Sequence, residues 1–297
     1  MADLSEIQDV EALENRYLGK AIVYVESEHD EEVYRRFAGP DVADRLEFKT
    51  PKIGAGGWKA VRDRLRQERP SNDNIYGLLD GEAAVHFDGW EALIACQNHL
   101  FRLTVAEAEG IFFISGHELE NLLLQHGDIC GLIVKEVRLA DIAKHKVEDV
   151  RVQLVLAARR FFAAAAIKYA LAELERHGAP VPDFKLGKFR DPKQAAVSLL
   201  FELRQEIKAA GLDWLQVRRE IQAVLARLKA RFVADGLRPD AREDHFVRLA
   251  DGKAVVARLR EVFKLTGPLD GHLVDTTSRS AYAAEFRTEL MQFTQAA

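Results

Sequence analysis

Cysteine is scarce in this sequence of 297 residues, which contains only Cys96 and Cys130. Two cysteines without the spacing of metal ligands argue against a disulfide framework and against a zinc ribbon. Long apolar runs are also missing, and none approaches the roughly 20 residues that a membrane-spanning helix requires. The N-terminal segment is acidic and lacks the basic start and apolar stretch of a secretory signal peptide. We therefore expect a cytoplasmic protein without a membrane segment.

Motifs of several common enzyme classes are missing as well. Without a Gly-x-x-x-x-Gly-Lys-Ser/Thr loop, the chain is not expected to hydrolyse ATP. His117 and Glu118 resemble the start of a zinc-protease helix, but Asn121 stands where the second histidine is needed. The run GAGGWK at 54–59 begins like a dinucleotide fingerprint, but Lys59 replaces its third glycine. No Gly-x-Ser-x-Gly pattern marks a nucleophile elbow.

The charges that are present are distributed unevenly along the chain. Residues 1–150 hold 17 basic and 29 acidic residues, whereas residues 151–232 hold 16 basic and 8 acidic ones. Residues 233–297 are nearly balanced, and the net charge is −5. An acidic part beside a basic part suits a cation site next to a polyanion-binding surface. Charged helix faces without any binding role give the same asymmetry, and the charge count alone favours that simpler interpretation.

The first 140 residues alternate between strand and helix patterns. We expect strands at 20–26, 46–53, 74–80 and 110–115, with helices at 29–38, at 57–68 and from about 118. Pro51 interrupts the second strand, which suits the edge of a sheet. Short connections between alternating elements predict an α/β fold with a mostly parallel sheet flanked by helices.

A helical module follows the α/β part. We expect one helix that stops at Gly178, a Pro-rich linker, and two helices at 193–210 and 213–234. Near residue 245 the pattern predicts a short strand, a turn at Asp251 and Gly252, and a last helix. The predicted organisation is an α/β core at 1–140, an α-helical module at 141–244, and a C-terminal strand-helix segment at 245–297 that returns to the core.

Two predicted strands end in carboxylates. Glu26 closes the first strand and Asp80 the third, and in the usual doubly wound order these ends are neighbours about 5 Å apart. Asp30 follows Glu26 by four residues and Glu82 follows Asp80 by two. Each acid alone is explained as a loop or helix-capping residue, as Asp30 could be. Four together would repel one another without a divalent cation, so they favour a metal site with hard oxygen ligands.

The chain resembles Toprim nucleases of the OLD-like type. The run VYVESEHD, with Glu26 and Asp30, is similar to their first motif, an apolar strand ending in Glu with Asp four residues later. The run LLDGE, with Asp80 and Glu82, resembles their Asp-x-Asp motif. The run GAGGW at 54–58 is similar to the glycine turn of these proteins. The run ELENLLL at 118–124 is similar to their Glu-Asn-hydrophobic signature, and DGK at 251–253 to their Gly-Lys element.

Within that family, the motif order and the added helical module most resemble the effector nucleases of PARIS anti-phage systems. The resemblance implies a Toprim fold that hydrolyses phosphodiester bonds with one or two Mg²⁺ or Mn²⁺ ions. It implies metal binding by Glu26, Asp30, Asp80, Glu82 and Glu120, with Glu118 beside the last. Catalysis would fall to Glu26, Asp80 and Lys253. The implied substrate is RNA, specifically tRNA, and the implied partners are an inhibiting ABC-type ATPase sensor and, after release, a second copy of the chain.

Two residues depart from the family pattern. Ser27 replaces a glycine, and Glu82 replaces the second Asp. These departures favour an alternative, a catalytically degraded Toprim-like module that binds nucleic acid or a protein partner without cleaving. In either case, we expect Arg159, Arg160 and Lys168 of the basic segment to bind phosphates of nucleic acid.

Overall fold

The computed structural model describes residues 19–51, 56–139, 145–179, 181, 192–234 and 239–295. This part of the chain is an α/β protein built on a five-stranded, mostly parallel sheet. The strands are β1 (Ala21–Tyr24), β2 (Leu46–Lys49), β3 (Ile75–Leu79), β4 (Leu100–Phe101) and β5 (Ile111–Ile114). The helices among and just after them are α1 (Glu28–Ala38), α2 (Pro40–Ala43), α3 (Trp58–Glu68), α4 (Trp90–Ala95), α5 (Leu119–His126) and α6 (Ile129–Leu139), with 3-10 turns at Arg69–Ser71, Gly81–Phe87 and Ala106–Ala108.

The later part of the described chain is helical. Its elements are α7 (Val147–Arg176), α8 (Pro192–Ala209), α9 (Trp214–Ala234), α10 (Pro239–Leu249), α11 (Gly252–Phe263), α12 (Leu269–Ser278) and α13 (Ala281–Gln295). The three helices predicted for the central module are confirmed, and Gly178 and Gly211 take left-handed φ angles of 85° and 75° after two of them. Most of the Pro-rich linker, residue 180 and residues 182–191, lies outside the described residues. No described helix is long and apolar enough to cross a bilayer.

The strand order is β2-β1-β3-β5-β4, so β1 lies between β2 and β3 as predicted. The pairs β1–β2, β1–β3 and β3–β5 are parallel, with Ile22 opposite Ile75 in the β1–β3 register. Every residue of β1, β3 and β5 is buried, which explains why these strands read as continuous apolar runs. The arrangement agrees with the Rossmann-like α/β class predicted from sequence.

All four predicted strands form, but each is shorter than predicted. β2 ends at Lys49, and the residues predicted to extend it up to Ile53 lie partly in the range 52–55, outside the described residues. Sequence analysis missed β4, which pairs antiparallel with β5 at the sheet edge. Two residues are too few to show the alternation that marks a strand.

The predicted strand near residue 245 is wrong, because those residues belong to α10. Phe246, Val247 and Ala250 are spaced as on one side of a helix, and a short apolar run does not separate strand from helix by pattern alone. The predicted turn at Asp251 is a helix start, since its carboxylate caps α11 by accepting from the N–H of Ala254 at 2.8 Å. The described residues after 245 therefore form helices joined by short loops and contain no strand.

The C-terminal helices do pack on the α/β part. α13 contacts α1 and β4, and Phe286 stacks on Tyr34 with ring centroids 5.8 Å apart. α7 packs against α9, α10 and α11 and against the 3-10 turn that follows β3. One long helix thus connects the helical module to the end of a central strand.

Candidate metal centre

The carboxyl ends of β1 and β3 bring together Glu26 and Asp80. Oε1 of Glu26 accepts a hydrogen bond from the main-chain N–H of Asp80 at 3.0 Å. This contact confirms the predicted neighbourhood of the two acids, because parallel neighbouring strands end at the same edge of the sheet. β5 ends at the same edge, and His117 and Glu118 follow it.

A glycine turn lies against Glu26. The N–H of Gly57 donates to the main-chain oxygen of Glu26 at 3.0 Å, and Gly57 has a φ of 91°, where side chains are rarely tolerated. A Cβ on Gly56 would lie 2.8 Å from the same oxygen. The turn can therefore approach Glu26 only with glycine at both positions, while Gly54 and Ala55 lie outside the described residues.

Ser27 caps α1. Its Oγ accepts from the N–H of Asp30 at 3.2 Å and lies 2.7 Å from Oδ2 of Asp30, to which it donates. Ser27 thus starts the helix and orients Asp30. Asp30 itself is in the first turn rather than at the cap.

Glu82 meets a histidine and a lysine. Its Oε2 lies 3.1 Å from Nε2 of His117 and 3.1 Å from Nζ of Lys168. The main chain fixes this geometry, since the N–H groups of Gly81 and Glu82 donate to the oxygens of Gly116 and His117 at 3.1 and 2.9 Å. A Cβ on Gly81 would lie 2.1 Å from the oxygen of Gly116, so the glycine between the two acids is required by close approach.

His117 is fully buried between Glu82 and the helical module. Its Nδ1 lies 2.7 Å from the hydroxyl of Tyr169 on α7. Its Nε2 has no aligned hydrogen-bond partner within the described part of the chain, although Glu82 is within ion-pair distance. The imidazole therefore presents Nε2 to the carboxylate of Glu82.

Glu118 joins α5 to α11. It is the N-cap residue of α5, where its main-chain N–H donates to Oδ1 of Asn121 at 2.7 Å, and its Oε2 accepts from the main-chain N–H of Lys253 at 3.1 Å. Its Oε1 lies 3.7 Å from both Nζ of Lys168 and Nζ of Lys253. One ligand atom each from Glu82, His117 and Glu118 lie within 4.8 Å of one another, so these three residues could bind a metal ion.

The predicted metal ligands and this cluster overlap at Glu82, and Glu118 was the secondary choice beside Glu120. His117 was missed, although its place three residues after a buried apolar strand was a usable signal. Asp251 was also missed as a member of the site. Its Oδ2 lies 3.3 Å from Nζ of Lys168, and the residue is buried.

Glu120 and Lys253 lie at the outer side of the cluster. Oε2 of Glu120 is buried without a hydrogen-bond partner among the described residues and lies 4.0 Å from Nζ of Lys253. The Lys253 side chain remains 64% exposed, so its ammonium group is accessible to a ligand.

Burial and mutual repulsion perturb the acids. Burial first, then the charges of Glu82 and Asp30, raises the pKa of Glu26 to about 7. Burial raises the pKa of Glu120 to about 7, and burial together with Glu26 and Asp30 raises the pKa of Asp80 well above its usual range. Burial and Asp251 also raise the pKa of Glu118. In each of these acids burial is the largest cause, and neighbouring carboxylates add to it.

Glu82 behaves in the opposite way. Burial alone would raise the pKa of its carboxyl, but His117 and Lys168 overcome burial and hold that pKa well below the usual range. Burial likewise works against the charged form of Lys168, yet Glu82, Asp251 and Glu118 raise its pKa above the usual value. Lys168 is thus a charged lysine within a carboxylate cluster.

The three predicted phosphate-binding residues do not form one surface. Lys168 points into the cluster, while Arg159 is exposed, lies 3.5 Å from a carboxylate oxygen of Glu243 and covers the ring of Phe246 at 5.6 Å. Arg160 is half-buried. Nucleic-acid binding by Arg159 and Arg160 stays a prediction.

No protein-family model matches the chain, and no curated protein is significantly similar to it in sequence. Its class follows from the fold and the site: an α/β protein with a carboxylate-rich centre, at the ends of its central strands, that could bind a metal ion.

Proposed function

We propose that this chain is a Toprim-type nuclease that hydrolyses phosphodiester bonds of nucleic acid, with RNA and specifically tRNA as its substrate. One observation carries the proposal. Glu26 and Asp80 meet at the ends of neighbouring parallel strands, joined by the 3.0 Å hydrogen bond from Asp80 to Glu26. Glu82 and Glu118 follow at the ends of β3 and β5. Carboxylates gathered at this edge suit phosphoryl-transfer chemistry that depends on a divalent ion.

The donor set fits Mg²⁺ or Mn²⁺. Carboxylate oxygens are the ligands that these hard cations prefer. Oε2 of Glu120 is buried without a hydrogen-bond partner in the described chain, and burial raises the pKa values of Glu26 and Glu120 to about 7. A bound divalent ion supplies a Lewis acid that polarises the phosphate and lowers the pKa of an attacking water.

The chain's own residues would hold the reacting groups. Glu26 and Asp80 would bind the ion, with Asp30 and Glu120 as further oxygen ligands, because Glu82 is paired with Lys168. Lys253, whose N–H is fixed by Glu118 at 3.1 Å and whose ammonium is exposed, donates to a phosphate oxygen as charge develops there.

Cations and an aromatic ring lie beside the acidic centre. Trp58 follows the glycine turn at Glu26 and stacks on His86 with ring centroids 4.3 Å apart. Nζ of Lys59 and the guanidinium of Arg62 lie 5.4 and 5.1 Å from the Trp58 ring. Basic side chains that surround an aromatic ring are typical of surfaces that bind single-stranded nucleic acid. This patch gives the substrate a place to bind beside the metal ligands.

Regulation is the part of the proposal that rests on resemblance alone. A cytoplasmic nuclease of this kind would be held inactive by an ABC-type ATPase sensor and would pair as a homodimer on release during infection. Binding to the ATPase would have to favour the inactive arrangement, because a ligand shifts an equilibrium only through differential affinity.

The three contacts of Lys168 favour the second candidate, a degraded module that binds without cleaving. The Lys168 ammonium lies 3.1 Å from Glu82, 3.3 Å from Asp251 and 3.7 Å from Glu118, and it compensates part of the negative charge without any metal. A centre whose charge is balanced by a lysine does not need a metal ion. Together with the departures at Ser27 and Glu82, this lysine is what we would expect in a protein without catalytic activity.

The test is cleavage by the purified chain. Labelled tRNA, other RNA and DNA are incubated with Mg²⁺ or Mn²⁺ and with chelator. We expect metal-dependent cleavage that Glu26→Gln and Asp80→Asn abolish, and that Glu28→Gln, an exposed acid in the first turn of α1, preserves. Metal-independent cleavage, or full activity of either site variant, would disprove the proposed centre. Binding without cleavage of any substrate would establish the second candidate.

A further inference from the structure

Lys168 is a basic residue in an acidic centre, and it comes from the helical module. Its ammonium lies between carboxylates of three separate segments: Glu82 after β3, Glu118 after β5, and Asp251 at the start of α11. The side chains of Glu118 and Asp251 are only 4% and 6% exposed, so water does little to screen them. An ammonium group has three N–H donors, and three carboxylates surround this one.

The same place has the side chains of a metal site. Glu82 and Glu118 are two of the three residues that could bind a metal ion, and His117 is the third. His117 is fully buried, and its Nε2 has no aligned hydrogen-bond partner among the described residues. This buried nitrogen, which no aligned hydrogen bond satisfies although Oε2 of Glu82 lies 3.1 Å away, indicates a ligand position beside the acids.

Lysine and metal cannot share this position. Metal–oxygen bonds of Mg²⁺ are about 2.0–2.1 Å long. The carboxylates stand 3.1 to 3.7 Å from Nζ, which suits an ammonium ion. A divalent ion bound by Glu82 and Glu118 would face the positive charge of Lys168 at close range in a poorly screened place.

We propose that the Lys168 ammonium acts as the second cation of the centre. The chain then binds one divalent ion, through Glu26 and Asp80, and a second ion binds at Glu82, His117 and Glu118 only after Lys168 is removed. The first half of this inference rests on the proposed function. The second half depends only on the contacts of Lys168.

This assignment gives α7 a role at the centre. Lys168 pairs with Glu82, and the next residue, Tyr169, contacts His117 at 2.7 Å. Two neighbouring residues of one helix therefore hold two of the three ligands in the arrangement that excludes a metal. Lys168 is a positioning residue for Glu82 and Glu118.

The experiment measures how many Mn²⁺ ions bind. The metal-free chain is titrated with Mn²⁺ by calorimetry, and the free ion is counted by electron paramagnetic resonance. We expect one ion for wild type and two for Lys168→Met, which keeps the apolar stem and removes the charge. Lys168→Arg keeps the charge and should bind one. Arg151→Ala, which removes a positive charge from an exposed position on the same helix, should also bind one.

A double variant assigns the new site. Glu82→Gln combined with Lys168→Met should return the count to one and also relieves the repulsion left by the lost lysine. Should Lys168→Met be destabilised, Mn²⁺ should raise its melting temperature more than that of wild type. Two ions in wild type, or no added ion in a folded Lys168→Met chain, would overturn the inference. If wild type binds no ion and Lys168→Met binds one, the metal of the proposed nuclease is disproved. The inference that Lys168 excludes an ion from Glu82, His117 and Glu118 would still hold.

Discussion

Asp80 donates its main-chain N–H to Oε1 of Glu26 at 3.0 Å, across the ends of two neighbouring parallel strands. This bond places two carboxyl groups side by side in a poorly hydrated part of the sheet edge. Repulsion between these carboxyl groups should affect the stability of the protein. The glycine turns allow the segments around them to approach closely.

Glu26 should make the metal-free protein less stable as pH rises. Its folded pKa of about 7 exceeds the usual glutamate value, so the stability that it contributes is present at low pH and is lost as pH rises through 7. Glu26→Gln keeps an acceptor for Asp80 and removes this effect. Relative to wild type, we expect the variant to gain about 1–3 kcal/mol more at pH 8 than at pH 5. Urea unfolding in chelator measures the difference, with Glu28→Gln as the control. An equal gain in stability at both pH values would contradict a raised pKa for the Glu26 carboxyl.

Tyr169→Phe should destabilise the chain by about 1–3 kcal/mol, because it leaves the buried Nδ1 of His117 without its hydroxyl partner. Tyr282→Phe is a matched control. The Tyr282 hydroxyl is also buried, but it has no hydrogen-bond partner in the described structure, so its removal should be neutral or stabilising. Urea unfolding of both variants is the measurement. Equal losses would mean that the contact between Tyr169 and His117 contributes nothing.

Gly81→Ala should disturb the turn that carries Glu82. The added Cβ would lie 2.1 Å from the oxygen of Gly116 and 2.6 Å from Cδ1 of Leu93, and the main chain would have to move. We expect a loss of about 2–4 kcal/mol and weaker Mn²⁺ binding. Gly271→Ala on α12 meets no atom within 4 Å. That control should be neutral or gain up to about 1 kcal/mol, since alanine favours a helix. A Gly81→Ala chain as stable as wild type would show that the turn is not tightly constrained.

Two basic surfaces compete as the nucleic-acid interface, and salt dependence separates them. Lys59 and Arg62 adjoin Trp58 beside the acidic centre, whereas Arg159 already contacts Glu243. We expect Lys59→Ala with Arg62→Ala to weaken RNA binding and to reduce the slope of log affinity against log salt by about one per lost phosphate contact. Fluorescence anisotropy over a salt series gives both values. The same loss from Arg159→Ala with Arg160→Ala would instead assign the interface to α7, as the sequence predicted.

The residues at the strand ends were predictable because a local pattern determines them. An apolar run that ends in an acid identifies both the strand and the edge at which the acid lies, and Glu26 and Asp80 were found in this way. His117 also follows a central strand, β5, at the same edge of the sheet. A histidine after a strand, however, has many ordinary explanations. Gly57 belongs to the run that resembles a glycine turn, whereas the close contacts that require Gly57 and Gly81 depend on neighbouring segments.

Lys168 could not be assigned from sequence, because its role depends on how a long helix is turned. Residues of α7 are buried on several sides, among them Ala158, Phe161 and Ala165, so no polar face indicates its orientation. The lysine consequently looked like part of a basic surface. The misassigned strand near 245 has a related cause, since Phe246 and Val247 are apolar neighbours in either kind of element.

α7 is 30 residues long, which corresponds to a rod of about 45 Å. Lys168 and Tyr169 are adjacent on it, and a helix moves as a stiff body over such a short span. A displacement of α7 along its axis would therefore withdraw the ammonium from Glu82 and the phenol from His117 in one movement. The two contacts would therefore break together. A force or a binding event at the other end of the helix, far along the chain from Lys168, could release both.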